Sequence, residues 1–167
     1  MRTYGLISQT RIRRIREQGY THHTDLQISN LAFGNRFAYI LCSSLLTIAL
    51  VTTSIPGLLI MLLVATFGFI LPYHPFDYIY NYMLAKAMGK PKIPPRSEQL
   101  KFACTIASIW IATTIYLFFD GFMIAGYTMG AMLLIIAYLV SYLDFCIPSI
   151  IYKFLFLRKQ KTSQNFK

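Results

Sequence analysis

The sequence predicts an all-α membrane protein with four transmembrane helices arranged as two hairpins. Three observations lead to this fold class. Apolar residues make up 56% of the 167-residue chain and charged residues only 13%, which is about half the charged fraction of a typical soluble domain. The apolar residues form long blocks without a polar face, so lipid has to cover them. The basic residues flank these blocks, as in proteins anchored across a membrane.

The apolar blocks set the predicted spans. We expect them over about 36–53, 57–72, 101–119 and 122–143. The first pair is separated by Pro56-Gly57, which cannot continue a helix. The second pair is separated by Asp120-Gly121, a favoured turn sequence. Each pair of spans therefore forms a hairpin with a very short reversal.

Amphipathic segments follow each hairpin. Apolar residues recur at helical spacing over about 74–88 and 147–157, which predicts two interfacial helices. We divide the chain into a basic cytoplasmic N-terminal segment, a membrane domain and a cytoplasmic tail, over 1–35, 36–157 and 158–167. The N-terminal segment is either a short helix on an anionic membrane surface or a tail without fixed structure.

The distribution of positive charge predicts the orientation. Of the 16 Lys and Arg residues, six lie in 1–36, five in 86–101 and five in 153–167, and the two short reversals contain none. The positive-inside rule then places both termini and the central loop in the cytoplasm. Because the net charge of +10 is divided among three flanking clusters, it does not indicate a nucleic-acid interface.

The two hairpins have similar entries. A basic residue followed by Phe-Ala opens each of them, at 36–38 and 101–103. Because both hairpins enter from the same side, a symmetry axis would lie along the membrane normal, as in parallel-repeat transporters. The similarity has two explanations, a true duplication or the shared composition of apolar hairpins.

From residue 36 to residue 152 the chain resembles the bacterial membrane proteins of the domain of unknown function 4395 family. The features that carry the resemblance are Asn35-Arg36, a Pro-containing link with aromatic and basic residues after the second span, Lys101-Phe102-Ala103, Phe145-Cys146 and the later Tyr152. The resemblance implies a bacterial inner-membrane location. It also implies a Cys-x-x-Cys near the end of the chain, but Ser149 replaces the second cysteine here.

The titratable residues of interest gather at the predicted cytoplasmic rim. They are His74, Asp77, Asp144 and Cys146, together with Arg36 and Lys101. For Asp144 we favour solvation or pairing with a cation over a ligand or proton-transfer role. The candidate cations are Lys153, Lys101 and Arg36. Cys146 is either a small apolar packing residue, the simpler interpretation, or a nucleophile whose pKa a nearby cation lowers.

Few other features suggest chemistry. His74 lacks a second histidine within the spans, so we predict no metal site and no cofactor. Gly126 and Gly130 form a small-residue pattern for helix packing, within the chain or between subunits. We favour packing within the chain.

Three functions agree with these features. The first is a non-catalytic subunit or scaffold that contacts the lipid bilayer and other membrane subunits, or a second copy of itself. The second is a cytoplasm-facing thiol or sulfur-handling protein centred on Cys146. The third is a small-molecule transporter that acts as an oligomer.

Overall fold

The computed structural model describes residues 7–157, and in this part all regular secondary structure is helical and there is no strand. The predictions for 1–6 and for the tail at 158–167 lie outside the described residues. The helices are α1 (Gln9–Glu17), α2 (Asp25–Val51), α3 (Ile55–Ile70), α4 (Pro75–Ile79), α5 (Ala85–Ala87), α6 (Glu98–Phe119), α7 (Met123–Leu143) and α8 (Ile147–Tyr152). Two π-helical turns, Tyr80–Leu84 and Lys153–Leu157, continue α4 and α8.

Four apolar helices form the bundle. Within the described residues, α2, α6 and α7 are each long and apolar enough to cross a membrane. Helix α3 joins them as a fourth span if it is counted together with Pro75–Ala87, which bends away from it by 78°. These helices indicate a multi-pass membrane protein. We call Pro75–Ala87 the loop helix.

The hairpin reversals follow from local chemistry. Ser54 caps α3 by accepting a hydrogen bond from the backbone N–H of Gly57, and Pro56 lies in the first turn, where its missing N–H costs nothing. At the second reversal Gly121 has a φ of +81°, a conformation that glycine adopts without strain. The helices therefore end where the sequence predicts a reversal.

The packing order of the helices has the pattern of a two-fold repeat. Helix α2 packs on α3 and α7, and α6 packs on α7 and α3. The short helix that follows each hairpin folds back on that hairpin's first helix, α4 on α2 and α8 on α6. Exchanging one hairpin for the other leaves this set of contacts unchanged.

The N-terminal region is part of the same packed unit. Helix α2 starts at Asp25 and crosses the predicted boundary at residue 35, because Thr24 and Gln27 form a capping box that fixes its first turn. Helix α1 then packs back on the bundle through Ile12 and Ile15, which are 1% and 0% exposed. They join the apolar cluster that contains Ile28, Leu31, Tyr80, Leu100 and Cys146.

The glycine pair on α7 lies at close helix contacts within the chain. A Cβ atom at Gly126 would lie 2.6 Å from the ring of Phe118 on α6, and one at Gly130 would lie 2.5 Å from Leu50 on α2. Larger residues would push the helices apart, since real Cβ atoms essentially never come this close. The two glycines therefore let α7 approach both of its neighbours.

Candidate functional site at the rim of the bundle

Five of the six predicted rim residues lie in two clusters and one surface pair, and the sixth, Cys146, lines a cavity between the helices. His74 and Asp77 lie together at the start of the loop helix. Asp144 and Arg36 lie together at the end of α7. Lys101 instead pairs with Glu98 at 3.0 Å, where the Glu98 side chain is 72% exposed, so this pair contributes little.

The first cluster is a buried ion pair. The guanidinium of Arg96 donates two hydrogen bonds to the carboxylate of Asp77, at 2.6 and 2.9 Å. The two side chains are 3% and 1% exposed. The same carboxylate accepts the backbone N–H of His74 at 3.1 Å, which completes a capping box for α4. The pair thus joins the segment before α6 to the loop helix.

Arg96 has further contacts that fix its position. Its backbone N–H donates to the carbonyl of Pro72 at 2.8 Å, and its guanidinium lies 5.2 Å from the centre of the Tyr39 ring. Arg96 is not among the candidate residues predicted from the sequence, where the central basic residues indicate only orientation. A lone arginine among prolines carries no local signal of a buried partner.

His74 is held in the neutral form. Its Nδ1 accepts the backbone N–H of Phe76 at 3.3 Å, and its Nε2 lies 3.8 Å from Sγ of Cys42. Burial, reinforced by the charge of Arg96, lowers the pKa of His74 to about 3. Within residues 7–157, no three His, Cys, Asp or Glu side chains are placed to hold a metal ion.

Acidification is expected to destabilise the fold through His74. Its pKa in the folded state, about 3, is below the unfolded value of 6.5, so below pH 6.5 the unfolded chain binds a proton that the folded chain excludes. The free energy of unfolding then falls by up to about 1.4 kcal/mol per pH unit. Thermal unfolding in detergent between pH 7 and about pH 5, above most carboxyl pKa values, measures this. His74→Asn keeps a capping side chain, and an unchanged pH slope in that variant would contradict the prediction.

The second cluster lies at the C-terminal end of α7, around Asp144. Oδ2 of Asp144 accepts Nε of Arg11 at 2.7 Å and Nη2 of Arg36 at 2.9 Å, and the Asp144 side chain is only 1% exposed. Asp144 has a φ of 54°, a left-handed helix end that aspartate tolerates better than most residues. We call these three residues the Asp144 clamp. Arg36 is one of the cations that the sequence predicts, but Arg11 is not.

Side chains in and beside the clamp also donate hydrogen bonds to the last backbone carbonyls of α7 and to that of Asp144. Arg36 donates to the carbonyl of Tyr142 at 2.9 Å, Arg14 donates to that of Leu143 at 2.7 Å, and Gln18 donates to that of Asp144 at 2.9 Å. Terminal carbonyls of a helix have no partner within the helix and attract cations. Helix α1 therefore provides much of the cap of α7.

All three cysteines line one cavity. The cavity has a volume of about 150 Å³ and lies between α2, α3, α6 and α7, with His74 and Arg96 in its wall. Its lining is otherwise mostly apolar and includes Cys42, Cys104 and Cys146. The spacing of the three cysteines in the sequence does not predict that they share a cavity, because the rotation of each helix about its axis decides which side chains converge.

Cys146 is not activated by the predicted cations. Arg36 binds Asp144 and Lys101 binds Glu98. Burial raises the pKa of Cys146 above its ordinary value. The thiol is therefore protonated at neutral pH, which disfavours nucleophilic attack.

Comparison with known proteins identifies one family. The model of the family described as "Domain of unknown function (DUF4395)" matches residues 33–156. No curated protein and no solved structure matches the chain. The matched region includes both clusters except for Arg11, and it contains all three cysteines.

Proposed function

Since the chain belongs to the DUF4395 family and its apolar helices indicate a multi-pass membrane protein, we propose that it crosses the bacterial inner membrane four times. Both termini and the central loop face the cytoplasm. Its function in this proposal is that of a non-catalytic subunit or scaffold in a membrane assembly. The partners are lipid and other membrane subunits, or a second copy of the chain.

The charge distribution supports the orientation. All 16 Lys and Arg residues lie in the three segments assigned to the cytoplasm, and the rule of positive cytoplasmic loops gives the sidedness. Reporter fusions at Ser54, at Asp120 and after the last residue test this topology. We expect the first two to report the periplasm and the third the cytoplasm, and a periplasmic C-terminal reporter would overturn it.

The use of the rim residues supports a structural role. The carboxylates of Asp77 and Asp144 are both buried and both bind arginine. These ion pairs join separate segments of the chain, and His74 acts as a helix cap. Groups used in this way stabilise the geometry of the rim and are not poised for proton transfer.

Mild-detergent purification tests the assembly. We expect tagged full-length chain to elute in a complex of defined stoichiometry, with a partner or a second copy that survives mild crosslinking in intact cells. An unrelated tagged membrane protein, expressed to the same level, controls for adventitious capture. A crosslinked sample that contains only the monomer would contradict the proposal.

Thiol chemistry is the second candidate, and one observation favours it. Cys42, Cys104 and Cys146 line the same cavity, so a small reactive molecule held there would meet more than one thiol. The raised pKa of Cys146 counts against attack by a free thiolate.

Replacing single cysteines separates the two candidates. If the protein is structural, Cys146→Ser, Cys42→Ser and Cys104→Ser should each fully rescue the phenotype of a deletion strain, because a hydroxyl changes packing only slightly. Protein levels are compared by immunoblot as a control. If Cys146→Ser alone fails to rescue at a normal protein level, the thiol function is favoured.

A further inference from the structure

The cysteine-lined cavity between the four apolar helices has the size of a small-molecule site. Its volume is about 150 Å³, and an internal cavity of this volume holds one molecule about as large as benzene. The lining extends over about three turns of α6, from Leu100 to Ile111. A whole phospholipid is much larger than this space, so the volume favours a single small molecule.

The lining of this cavity is polar at one end and apolar at the other. His74 and Arg96 come from the rim of the bundle, and Tyr39 comes from the part of α2 near the rim. The lining around Trp110, further along α6, is apolar, and the indole N–H already donates to the carbonyl of Met129 at 2.9 Å. A ligand that fits this lining has an apolar body and one polar end.

The charge of the lining is already balanced. Among the described residues of the lining, only Arg96 carries a charge, and the carboxylate of Asp77 binds it through two hydrogen bonds. A charged ligand would therefore be buried without a counter-ion, which costs a large amount of free energy. The cavity is thus suited to a neutral molecule.

Hydrogen-bond donors in the lining lack strong acceptors. The hydroxyl of Tyr39 is buried and has no hydrogen-bond partner among the described residues. The pair with Asp77 uses Nε and Nη2 of Arg96 and leaves Nη1 for another acceptor. Because Nδ1 of the neutral His74 accepts a backbone N–H, the ring proton is on Nε2. The sulfur of Cys42, 3.8 Å from this Nε2, is only a weak acceptor. Since a buried donor without an acceptor costs free energy, the donors favour a ligand with an acceptor atom.

We propose that this cavity binds one neutral, mainly apolar molecule through a carbonyl oxygen, which accepts hydrogen bonds from Tyr39 and Arg96. The two side chains are neighbours, since the guanidinium lies 5.2 Å from the centre of the Tyr39 ring. A carbonyl oxygen has two lone pairs and no proton, so it accepts from two donors without adding a third. The apolar body of the ligand lies on the side of Trp110. Binding of this kind is independent of the subunit role and needs no reaction of the cysteines.

The fluorescence of Trp110 reports whether the cavity is occupied. Trp110 is the only tryptophan of the chain and lines the cavity, so a bound molecule alters its emission. The probe is acetophenone, a benzene ring that carries a carbonyl group, titrated into the purified full-length chain in detergent micelles. The matched probe is α-methylstyrene, in which a CH2 group replaces the carbonyl oxygen, and its affinity is measured by competition. With both probes expressed as concentration in the micelle, we expect acetophenone to bind saturably and about five-fold more tightly, the usual effect of one hydrogen bond.

Tyr39→Phe tests the recognition of the carbonyl oxygen. This variant removes only a hydroxyl that has no partner among the described residues, so it should fold normally. We expect it to bind acetophenone about five-fold more weakly and α-methylstyrene as before. Tyr116→Phe is the matched control, because Tyr116 is 62% exposed and does not line the cavity. Unchanged affinity of Tyr39→Phe for acetophenone would overturn the proposal, as would equal affinities of the unsubstituted chain for the two probes.

Ala137→Leu tests whether the probes bind in this cavity. Ala137 lines it from α7, so a leucine there fills the space and should abolish saturable binding of both probes. Ala131→Leu is the same substitution at an exposed position of α7 outside the lining, and it should bind both probes normally. Equal effects of the two substitutions, or no saturable binding by the unsubstituted chain, would overturn the proposal.

The outcome stays decisive if Ala137→Leu does not fold, because the comparison of Tyr39→Phe with Tyr116→Phe still tests the site. Since binding is measured on the purified chain alone, its failure is distinct from failure of the subunit role.

Discussion

Replacing Asp77 with alanine is expected to lower the free energy of unfolding by about 3–5 kcal/mol. Arg96 would keep its charge in a site where its side chain is 3% exposed, and no other carboxylate is hydrogen-bonded to it among the described residues. The capping box of α4 would be lost in the same variant, which adds about 1 kcal/mol. This is the largest single-residue effect that we expect in the protein.

The measurement is unfolding in detergent micelles at neutral pH, followed by circular dichroism. Glu98→Gln serves as the control, because it breaks the exposed pair with Lys101 and should cost no more than about 1 kcal/mol. The double variant Asp77→Leu/Arg96→Met replaces both charges with apolar side chains and should recover most of the loss. Equal stability of Asp77→Ala and Glu98→Gln would show that the buried pair is not a main support of the rim.

Replacing Gly34 with alanine is expected to cost about 1–3 kcal/mol, although alanine is favoured over glycine in a helix by about 1 kcal/mol. The new Cβ would lie 2.5 Å from the Tyr80 ring and 2.7 Å from Ile93. Tyr80 is fully buried and cannot move aside. The loop helix would therefore be displaced from α2.

A double-mutant cycle with Tyr80→Leu tests this explanation. If the clash with the ring is the cause, the smaller side chain should make Gly34→Ala much less costly, and the coupling should exceed about 0.5 kcal/mol. Additive effects of the two substitutions would show that Gly34 acts in another way. Limited proteolysis of the loop helix reports its displacement directly.

The helices were predictable because their signals are local. Apolar block length and the Pro56-Gly57 and Asp120-Gly121 pairs place the four apolar helices and their reversals within a few residues, except for the start of α2. The start of α2 also had a local signal, the Thr24 to Gln27 capping box. The hydropathy pattern instead predicts a span that begins at residue 36, because the polar residues within 25–35 lower the mean hydropathy of that segment.

The partners at the rim were not predictable in the same way. Hydropathy gives the depth of a side chain in the membrane but not the rotation of its helix, and rotation decides which residues meet. Asp77 and Asp144 were therefore placed at the rim, while Arg96 and Arg11 were missed. Arg11 is 133 residues from Asp144 in sequence, and nothing near it indicates the contact.

The Asp144 clamp also imposes an order on biosynthesis. Arg11 and Arg36 precede their common partner by 133 and 108 residues, so neither can form its ion pair until α7 has been synthesised. Until then Ile12 and Ile15 of α1 also lack Val140 and Cys146, which belong to the apolar cluster that they join. A chain that stalls before residue 144 therefore lacks both ion pairs of the clamp. The clamp can therefore form only after the end of α7 has been synthesised.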